Sequence, residues 1–175
     1  SMTIRKILTE PDPFLRQKSV KVDQVTDETR SLMDDMLETM YNAPGIGLAA
    51  VQISVPKRVI VIDLSRDGEK KNPLHFVNPK IITNSNNDAV YEEGCLSVPG
   101  QYAEINRPDK CQVNYLDYKG KEQTLDAEGL LATCIQHEID HLEGILFIDH
   151  LSKLKKNMIV KKLSKQKKSF ERIVV

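Results

Sequence analysis

The stretch Gln136-His137-Glu138-Ile139-Asp140-His141 places two imidazoles one helical turn apart, with a carboxylate between them. At about 3.6 residues per turn, positions i and i+4 project from nearly the same face of a helix, so both histidines can reach one metal ion. Glu138 lies beside that face, where a water molecule on the ion would be. The motif therefore indicates a helix that supports metal-assisted hydrolysis.

The helix that carries this motif is predicted from about Ala127 to Leu142 and is closed by Gly144. Apolar residues cover so much of its circumference that it should lie inside the protein. These residues are Leu130, Leu131, Cys134, Ile135, Ile139 and Leu142. A buried helix that nevertheless carries two histidines and a glutamate holds those polar groups for a purpose, because burying them is costly.

The remaining elements flank this helix on both sides of the sequence. Helical spacing of leucines and methionines predicts an amphipathic helix over Thr26–Tyr41, and a lysine-rich one over Leu151–Phe170, about 152–170. Short β-branched or alternating runs predict strands, mostly antiparallel, at 58–64, 74–83, 100–106, 110–118 and 122–127. We therefore expect an α+β fold: mostly antiparallel β-sheets packed around a central metal-binding helix, with an N-terminal and a C-terminal helix, in one domain over 2–175.

Two kinds of segment are predicted to be irregular. Residues 42–52 open with a proline and two glycines, which no regular element favours. The turn Ser65–Pro73 and the polar segment Asn84–Asp88 are the candidates for mobile loops.

Composition excludes several classes of function. The 25 basic and 25 acidic residues cancel, so the chain as a whole has no electrostatic attraction to nucleic acid or membranes. No apolar run approaches the ~20 residues of a membrane span, and the N-terminus has no signal-peptide pattern. We therefore expect a cytoplasmic protein whose three cysteines are reduced thiols.

A catalytic metal needs a third protein ligand, because two histidines do not complete the site. Cys111 and Cys134 lie among apolar residues and are predicted to be packed in the protein. His75 and His150 have no partner at ligand spacing and are predicted to be ordinary polar residues. Cys95 lies instead in a glycine-flanked segment, 92–100, that is predicted to be an irregular turn presenting a thiolate and backbone N–H groups. Cys95 is therefore a good candidate for the ligand.

Three separated motifs of the chain resemble those of peptide deformylases, in that family's order and at a compatible spacing. They are Gly45-Ile46-Gly47-Leu48-Ala49-Ala50-Val51-Gln52, Glu93-Gly94-Cys95-Leu96-Ser97 and Gln136-His137-Glu138-Ile139-Asp140-His141. The resemblance covers nearly the whole chain. Its lysine-rich terminal helix resembles that of the bacterial type 1 enzymes.

The resemblance implies a role for each matching residue. It makes Cys95, His137 and His141 the metal ligands and Glu138 the group that moves a proton between water and the leaving amine. It makes the Gln52 amide and the Leu96 N–H the oxyanion donors and counts Gly47 among the catalytic residues. The substrate-binding residues that it implies are Gly45, Ile46, Gly47, Tyr91, Glu93, Gly94, Leu130, Thr133 and Cys134, with His137 also lining the pocket.

The resemblance also implies a substrate, a metal and partners. The substrate is the N-formyl-methionyl end of a new polypeptide, and the products are formate and a free amino terminus. The chain should hold one divalent ion: Fe²⁺ in the cell, and Zn²⁺, Ni²⁺ or Co²⁺ in purified protein. We expect a monomer that contacts no membrane and meets the ribosome through its lysine-rich helix.

Two alternatives remain at this stage. A zinc peptidase shares the metal-binding helix, although such enzymes usually recruit a glutamate or histidine downstream of it rather than an upstream thiolate. A non-catalytic protein could instead use the metal structurally and bind nucleic acid through the lysines of the tail. Those lysines are Lys153, Lys155, Lys156, Lys161, Lys162, Lys165, Lys167 and Lys168.

Overall fold

The computed structural model describes the backbone of residues 3–174 and the side chains of residues 3–167. The helices are α1 (Asp27–Asn42), α2 (Gly129–Leu142) and α3 (Lys153–Val174). The strands are β1 (Gly47–Ala49), β2 (Val59–Ile62), β3 (Leu74–Asn84), β4 (Asp88–Cys95), β5 (Val98–Pro108), β6 (Lys110–Leu116) and β7 (Glu122–Glu128). Met2 and Val175, at the edges of the predicted domain, lie outside the described residues.

The strands form a five-stranded sheet in the order β1-β2-β3-β6-β7 and a separate hairpin of β4 and β5. Every pair within them is antiparallel. The predicted α+β class is therefore confirmed, with the metal-motif helix α2 in contact with both the sheet and the hairpin.

Strand β2 separates two hydrophobic cores. All four residues of Val59–Ile62 are buried, and successive side chains of a strand face opposite sides of its sheet. The two isoleucines pack in a core with Ile135 of α2, whereas the two valines pack in a core with Met33 and Met36 of α1. The uninterrupted apolar run suits a strand that is covered on both faces, so α1 and α2 lie on opposite sides of the sheet.

Helix α1 begins where the sequence predicts. The side-chain oxygen of Thr29 accepts the backbone N–H of Thr26 at 3.2 Å, and Asp27 and Glu28 lie in the positively polarised first turn. The methionine stripe of the helix is core, as predicted, and Met33, Met36 and Met40 are fully buried.

Helix α3 is only partly as predicted. Ile159 and Leu163 pack with the hairpin and the short helical turn at Phe147–His150, but Leu154 and Met158 are 72% and 53% exposed. At about 100° per residue, these two pairs point to roughly opposite sides of the helix, so one packing surface cannot bury both. The tail residues Lys168 and Phe170 lie outside the described side chains.

Two segments predicted to be irregular contain strands. Strand β1 lies within 42–52, and a helical turn at Ala50–Ile53 begins there and ends one residue beyond it. Strands β4 and β5 occupy all of 92–100 except Leu96 and Ser97. Strand β4 was missed because Asp, Glu and Gly have low strand propensity, and the element depends on its pairing with β5. Among the described residues, no helix is both long and apolar enough to cross a membrane.

The two predicted loops are both fastened at their ends. Asp63 accepts the backbone N–H groups of Ser65 and Asn72, at 2.9 and 3.0 Å, at the base of the first loop. In the second, Ser85 contacts Asp109, whose N–H donates to the Asn87 carbonyl at 2.9 Å.

Gly144 ends α2, as predicted, and its conformation generates a test. Its φ is +76°, and a Cβ there would lie 2.3 Å from the Arg16 carbonyl oxygen. Gly144→Ala should therefore lower the free energy of unfolding by more than the about 1–2 kcal/mol that left-handed backbone costs an L-residue. Chemical denaturation measures this. The control Gly68→Ala has a φ of +84° with no atom within 4 Å, so it should lose only that conformational cost. An equal loss of unfolding free energy in the two variants would contradict the predicted clash at Gly144.

Candidate metal centre

Cys95 at the end of β4 and two histidines of α2 bring one ligand atom each to a common point. These atoms all lie within 4.8 Å of one another, and Cys95 Sγ is 3.3 Å from His141 Nε2. Only 8% of His137 and 1% of His141 is exposed. No other group of three His, Cys, Asp or Glu residues in the described part of the chain meets the geometry of a metal site.

The surroundings of His137 favour a cation. Its Nδ1 lies 2.8 Å from Glu93 Oε1, which leaves Nε2 free to face the cluster when Nδ1 carries the hydrogen. Burial lowers the pKa of His137, but Cys95, Glu138 and Glu93 outweigh it and raise that pKa well above its ordinary value. The acidic side chains that surround His137 are also groups that can attract a divalent ion.

His141 is suited to the role of a neutral ligand. Burial, reinforced by the charge on His137, holds the pKa of His141 well below its ordinary value. A thiolate and neutral imidazoles are ligands that zinc and other divalent transition metals accept. The donor set therefore fits a divalent transition-metal ion.

The other two cysteines are packed thiols. Cys111 and Cys134 are 4% and 7% exposed, and neither belongs to the ligand cluster. Burial raises the pKa of both, that of Cys134 to about 12, so neither supplies a thiolate near neutral pH. The choice of Cys95 among the three cysteines agrees with this geometry.

Glu138 is a buried carboxyl beside the ligands. Its Oε2 is 4.0 Å from His137 Nε2, and its Oε1 has no hydrogen-bond partner within the described residues. Burial raises the pKa of Glu138 to about 7, which suits a group that exchanges protons at neutral pH. A Cβ at Gly47 would lie only 2.6 Å from Oε2, so the close approach of β1 to this carboxyl requires glycine.

Gln52 is held in one orientation by hydrogen bonds at both ends of its amide. Its Oε1 accepts the Ala49 N–H at 2.8 Å, and its Nε2 donates to Ser97 Oγ at 3.0 Å and to Cys95 Sγ at 3.6 Å. Ser97 belongs to the second of the three motifs, but no role was predicted for it. The structure shows it fully buried, supporting the Gln52 amide beside the ligand thiol.

A cavity of about 790 Å³ opens onto the ligand cluster. All but two of the predicted site residues line it, the exceptions being Gln52 and His141. The predicted residues in its wall are Gly45, Ile46, Gly47, Tyr91, Glu93, Gly94, Cys95, Leu96, Leu130, Thr133, Cys134, His137 and Glu138. The predicted loop 84–88 is not part of the wall.

Exposed apolar side chains also line this cavity. Ile46 and Leu130 are both 43% exposed, and Tyr102 is 66% exposed. Leu130 is therefore not enclosed in the core, although it belongs to the apolar ring of a helix predicted to be internal. Tyr102 was not predicted as a site residue. Its ring lies so close to Gly94 that a Cβ on Gly94 would be 2.6 Å from Tyr102 Cδ1.

Arg107, which was not predicted as a site residue, is only 5% exposed. Its guanidinium donates to both carboxylate oxygens of Glu93, at 2.7 and 3.0 Å, and to Asp140 Oδ2 at 2.9 Å. Burial would lower the pKa of Arg107, but the two carboxylates raise it. Strand alternation could have predicted its burial. Side chains of a strand alternate between two faces, so Arg107 lies on the same inward face of β5 as the buried Ile105.

Comparison with known proteins agrees with this geometry. A family model described as polypeptide deformylase matches residues 4–157. The chain is 66% identical over 174 residues to the peptide deformylase of Pelagibacter ubique (strain HTCC1062), an alignment that covers 99% of this chain and 100% of that protein. It is 61% identical over 168 residues to the enzyme of Phenylobacterium zucineum (strain HLK1), with 96% and 99% covered.

Solved structures give the same result. The crystal structure of peptide deformylase from Ehrlichia chaffeensis matches with a TM-score of 0.91 and 41% identity, covering 95% of this chain and 98% of that one. Its complex with actinonin matches with a TM-score of 0.90 and 43% identity, covering 94% and 98%. The chain therefore belongs to the polypeptide deformylase family of metallohydrolases, which remove formyl groups.

Proposed function

We propose that this chain hydrolyses the N-formyl group of the formyl-methionine that begins newly synthesised polypeptides. One observation carries the proposal: Cys95 and the two histidines converge on a cavity with a buried, partly unpartnered carboxyl of Glu138 beside them. Water adds to the formyl carbon, the carbon–nitrogen bond breaks, and formate and a free amino terminus are released.

Cys95, His137 and His141 would hold one divalent ion. Three protein ligands are typical of a catalytic site that leaves a position open. When bound, the ion supplies Lewis acidity and lowers the pKa of a water molecule from about 15.7 to about 7. Thiolate and imidazole accept several metals, so availability contributes to selection. We assign Fe²⁺ in the cell and Zn²⁺, Ni²⁺ or Co²⁺ in purified protein.

Three groups of this chain would act on the reacting atoms. Glu138 accepts the proton from the attacking water and returns it to the nitrogen of the leaving amine. The Gln52 side-chain amide and the Leu96 backbone N–H donate hydrogen bonds to the formyl oxygen as it becomes negative. The contacts of Gln52 with Ala49 and Ser97 support this role, because the amide is oriented before the substrate arrives.

The peptide would bind along the strip Gly45–Leu48. Strand β1 is an edge strand of the sheet, so an extended peptide can pair with its free side. The methionine side chain would enter the part of the cavity that is lined by Tyr91, Leu130, Thr133 and Cys134, together with Ile46. Glu93 and Gly94 also line this cavity.

We assign the reaction to a single cytoplasmic domain over 2–175 that acts as a monomer.

A direct test of the reaction is formate release from formyl-Met-Ala-Ser, compared with acetyl-Met-Ala-Ser. We expect formate from the first peptide and no cleavage of the second. Actinonin, which is bound in the Ehrlichia chaffeensis structure, should inhibit the release. Cleavage of an internal peptide bond without formate would support the zinc-peptidase alternative instead.

The role of Glu138 can be separated from metal binding. Glu138→Gln keeps the size of the side chain but cannot accept a proton, so kcat for formate release should fall by about 10²–10⁴. Metal analysis of the same variant should still find one ion per chain. Cys95→Ala is the contrasting variant and should lose the ion as well as activity. Wild-type turnover by Glu138→Gln would place the base elsewhere.

Gly47→Ala tests the close approach of β1 to Glu138. The new methyl group would require the Glu138 carboxylate to move, because its Oε2 lies 2.6 Å from the position of the Cβ. We expect kcat to fall by about 10-fold or more, since small displacements of catalytic groups are costly. Denaturation measures stability in parallel. An unchanged kcat in the folded variant would show that Glu138 tolerates displacement.

We also propose that α3 contacts the ribosome through exposed lysines. Leu163 is 4% exposed and belongs to a core, so removal of the helix would disturb packing as well as charge. The variant K161Q/K162Q/K165Q avoids this and should weaken salt-sensitive ribosome association in a sedimentation assay. It should leave turnover of formyl-Met-Ala-Ser unchanged. The control K18Q/K21Q/K119Q removes the same charge from other exposed positions, and equal weakening by both variants would exclude a specific α3 contact.

A further inference from the structure

Arg107 joins two elements that carry different metal ligands. Its guanidinium binds Glu93 of β4 through two hydrogen bonds and Asp140 of α2 through a third. The exposed fractions of the Arg107 and Glu93 side chains are 6% and 5%. The planar fork of an arginine suits this arrangement, because its donors leave in fixed directions and match carboxylate oxygens.

The two carboxylates lie next to all three ligands. Glu93 is two residues before Cys95 on the same strand, and its Oε1 is also 2.8 Å from His137 Nδ1. Asp140 directly precedes His141, and its Oδ2 is 2.8 Å from His150 as well. One side chain thus connects the hairpin that carries the thiol to the helix that carries both imidazoles.

Stability alone is a weak explanation for this cluster. A buried ion pair costs desolvation free energy that its attraction often only balances, and apolar replacements can be equally stable. Groups that orient metal ligands from behind, by contrast, typically contribute about 10- to 100-fold to metal affinity. The three hydrogen bonds of Arg107 all end on carboxylates that border ligands, which suits that second role.

We propose that Arg107 is a positioning residue that sets the placement of Cys95 relative to His137 and His141 before an ion binds. It holds the Glu93 carboxylate against His137 Nδ1, which directs the lone pair of Nε2 toward the ligand cluster. It also fixes the last turn of α2 through Asp140. The inference rests on the metal site of the proposed function.

The test uses Co²⁺ as the probe, because its visible absorption reports ligand geometry. Arg107→Met removes the charge and the fork, whereas Arg107→Lys retains the charge on a donor that cannot reach both carboxylates in the same way. We expect the Kd for Co²⁺, measured by chelator competition, to rise about 10- to 100-fold in Arg107→Met and by less in Arg107→Lys. The absorption spectrum of the cobalt form should change in both variants.

Arg58→Gln is the matched control. Arg58 pairs with Glu143 just beyond the same helix at 2.5 Å, and the only other acceptor of the Arg58 side chain among the described residues is the Pro79 carbonyl, so its guanidinium binds neither Glu93 nor Asp140. It should leave Co²⁺ affinity and the spectrum unchanged. A folded Arg107→Met variant with the wild-type Kd and spectrum would overturn the proposal.

If Arg107→Met does not fold, Asp140→Asn decides the question. This variant keeps the Arg107–Glu93 pair and weakens the connection of Arg107 to α2. It also weakens the contact of Asp140 with His150, which His150→Gln removes alone and which should leave the cobalt spectrum unchanged. An altered cobalt spectrum would support the positioning role, and an unchanged spectrum and Kd would overturn it. Both readouts are independent of turnover, so they distinguish a wrong role for Arg107 from a wrong reaction.

Discussion

The burial of a polar stripe on α2 is the constraint on which the site depends. His137, Glu138 and His141 are each less than a tenth exposed, on a helix that also supplies core residues to the sheet. Buried polar groups are costly unless other groups satisfy them. The satisfying groups come mainly from the hairpin, where Glu93 and Cys95 lie against the stripe. Polar contacts with this stripe therefore position the hairpin as much as apolar packing does.

The five-stranded sheet provides the rigid support for this arrangement. Strand β2 is buried on both faces, so α1 and α2 are both packed against a common layer. Strand β1 lies at the edge of that layer and reaches the site through small residues. Gly47 allows its backbone to approach Glu138 closely, while Gln52 follows in the next turn and points toward Cys95.

Much of the fold was accessible from sequence, and the errors have identifiable causes. The helices α1 and α2 and the end of α2 at Gly144 were predicted because periodicity and capping are local properties. Strand β4 was missed because pairing overrides its poor propensity. The apolar residues of α3 were assigned to one face although Leu154 and Met158 point away from Leu163. Arg107 was overlooked because the predicted strand 100–106 ends one residue before it, so its side chain was not assigned to a face of the strand.

Local sequence patterns are enough to indicate which residues could form the ligand set. The spacing of His137 and His141 fixes their common face, because helix geometry depends only on positions along one turn. Folding brings Cys95 to His141 across 46 residues and buries Glu138, which raises the pKa of Glu138 to about 7. It also brings Arg107 to the carboxylates of Glu93 and Asp140. These properties arise from contacts between distant segments and from the exclusion of water, which no local pattern encodes.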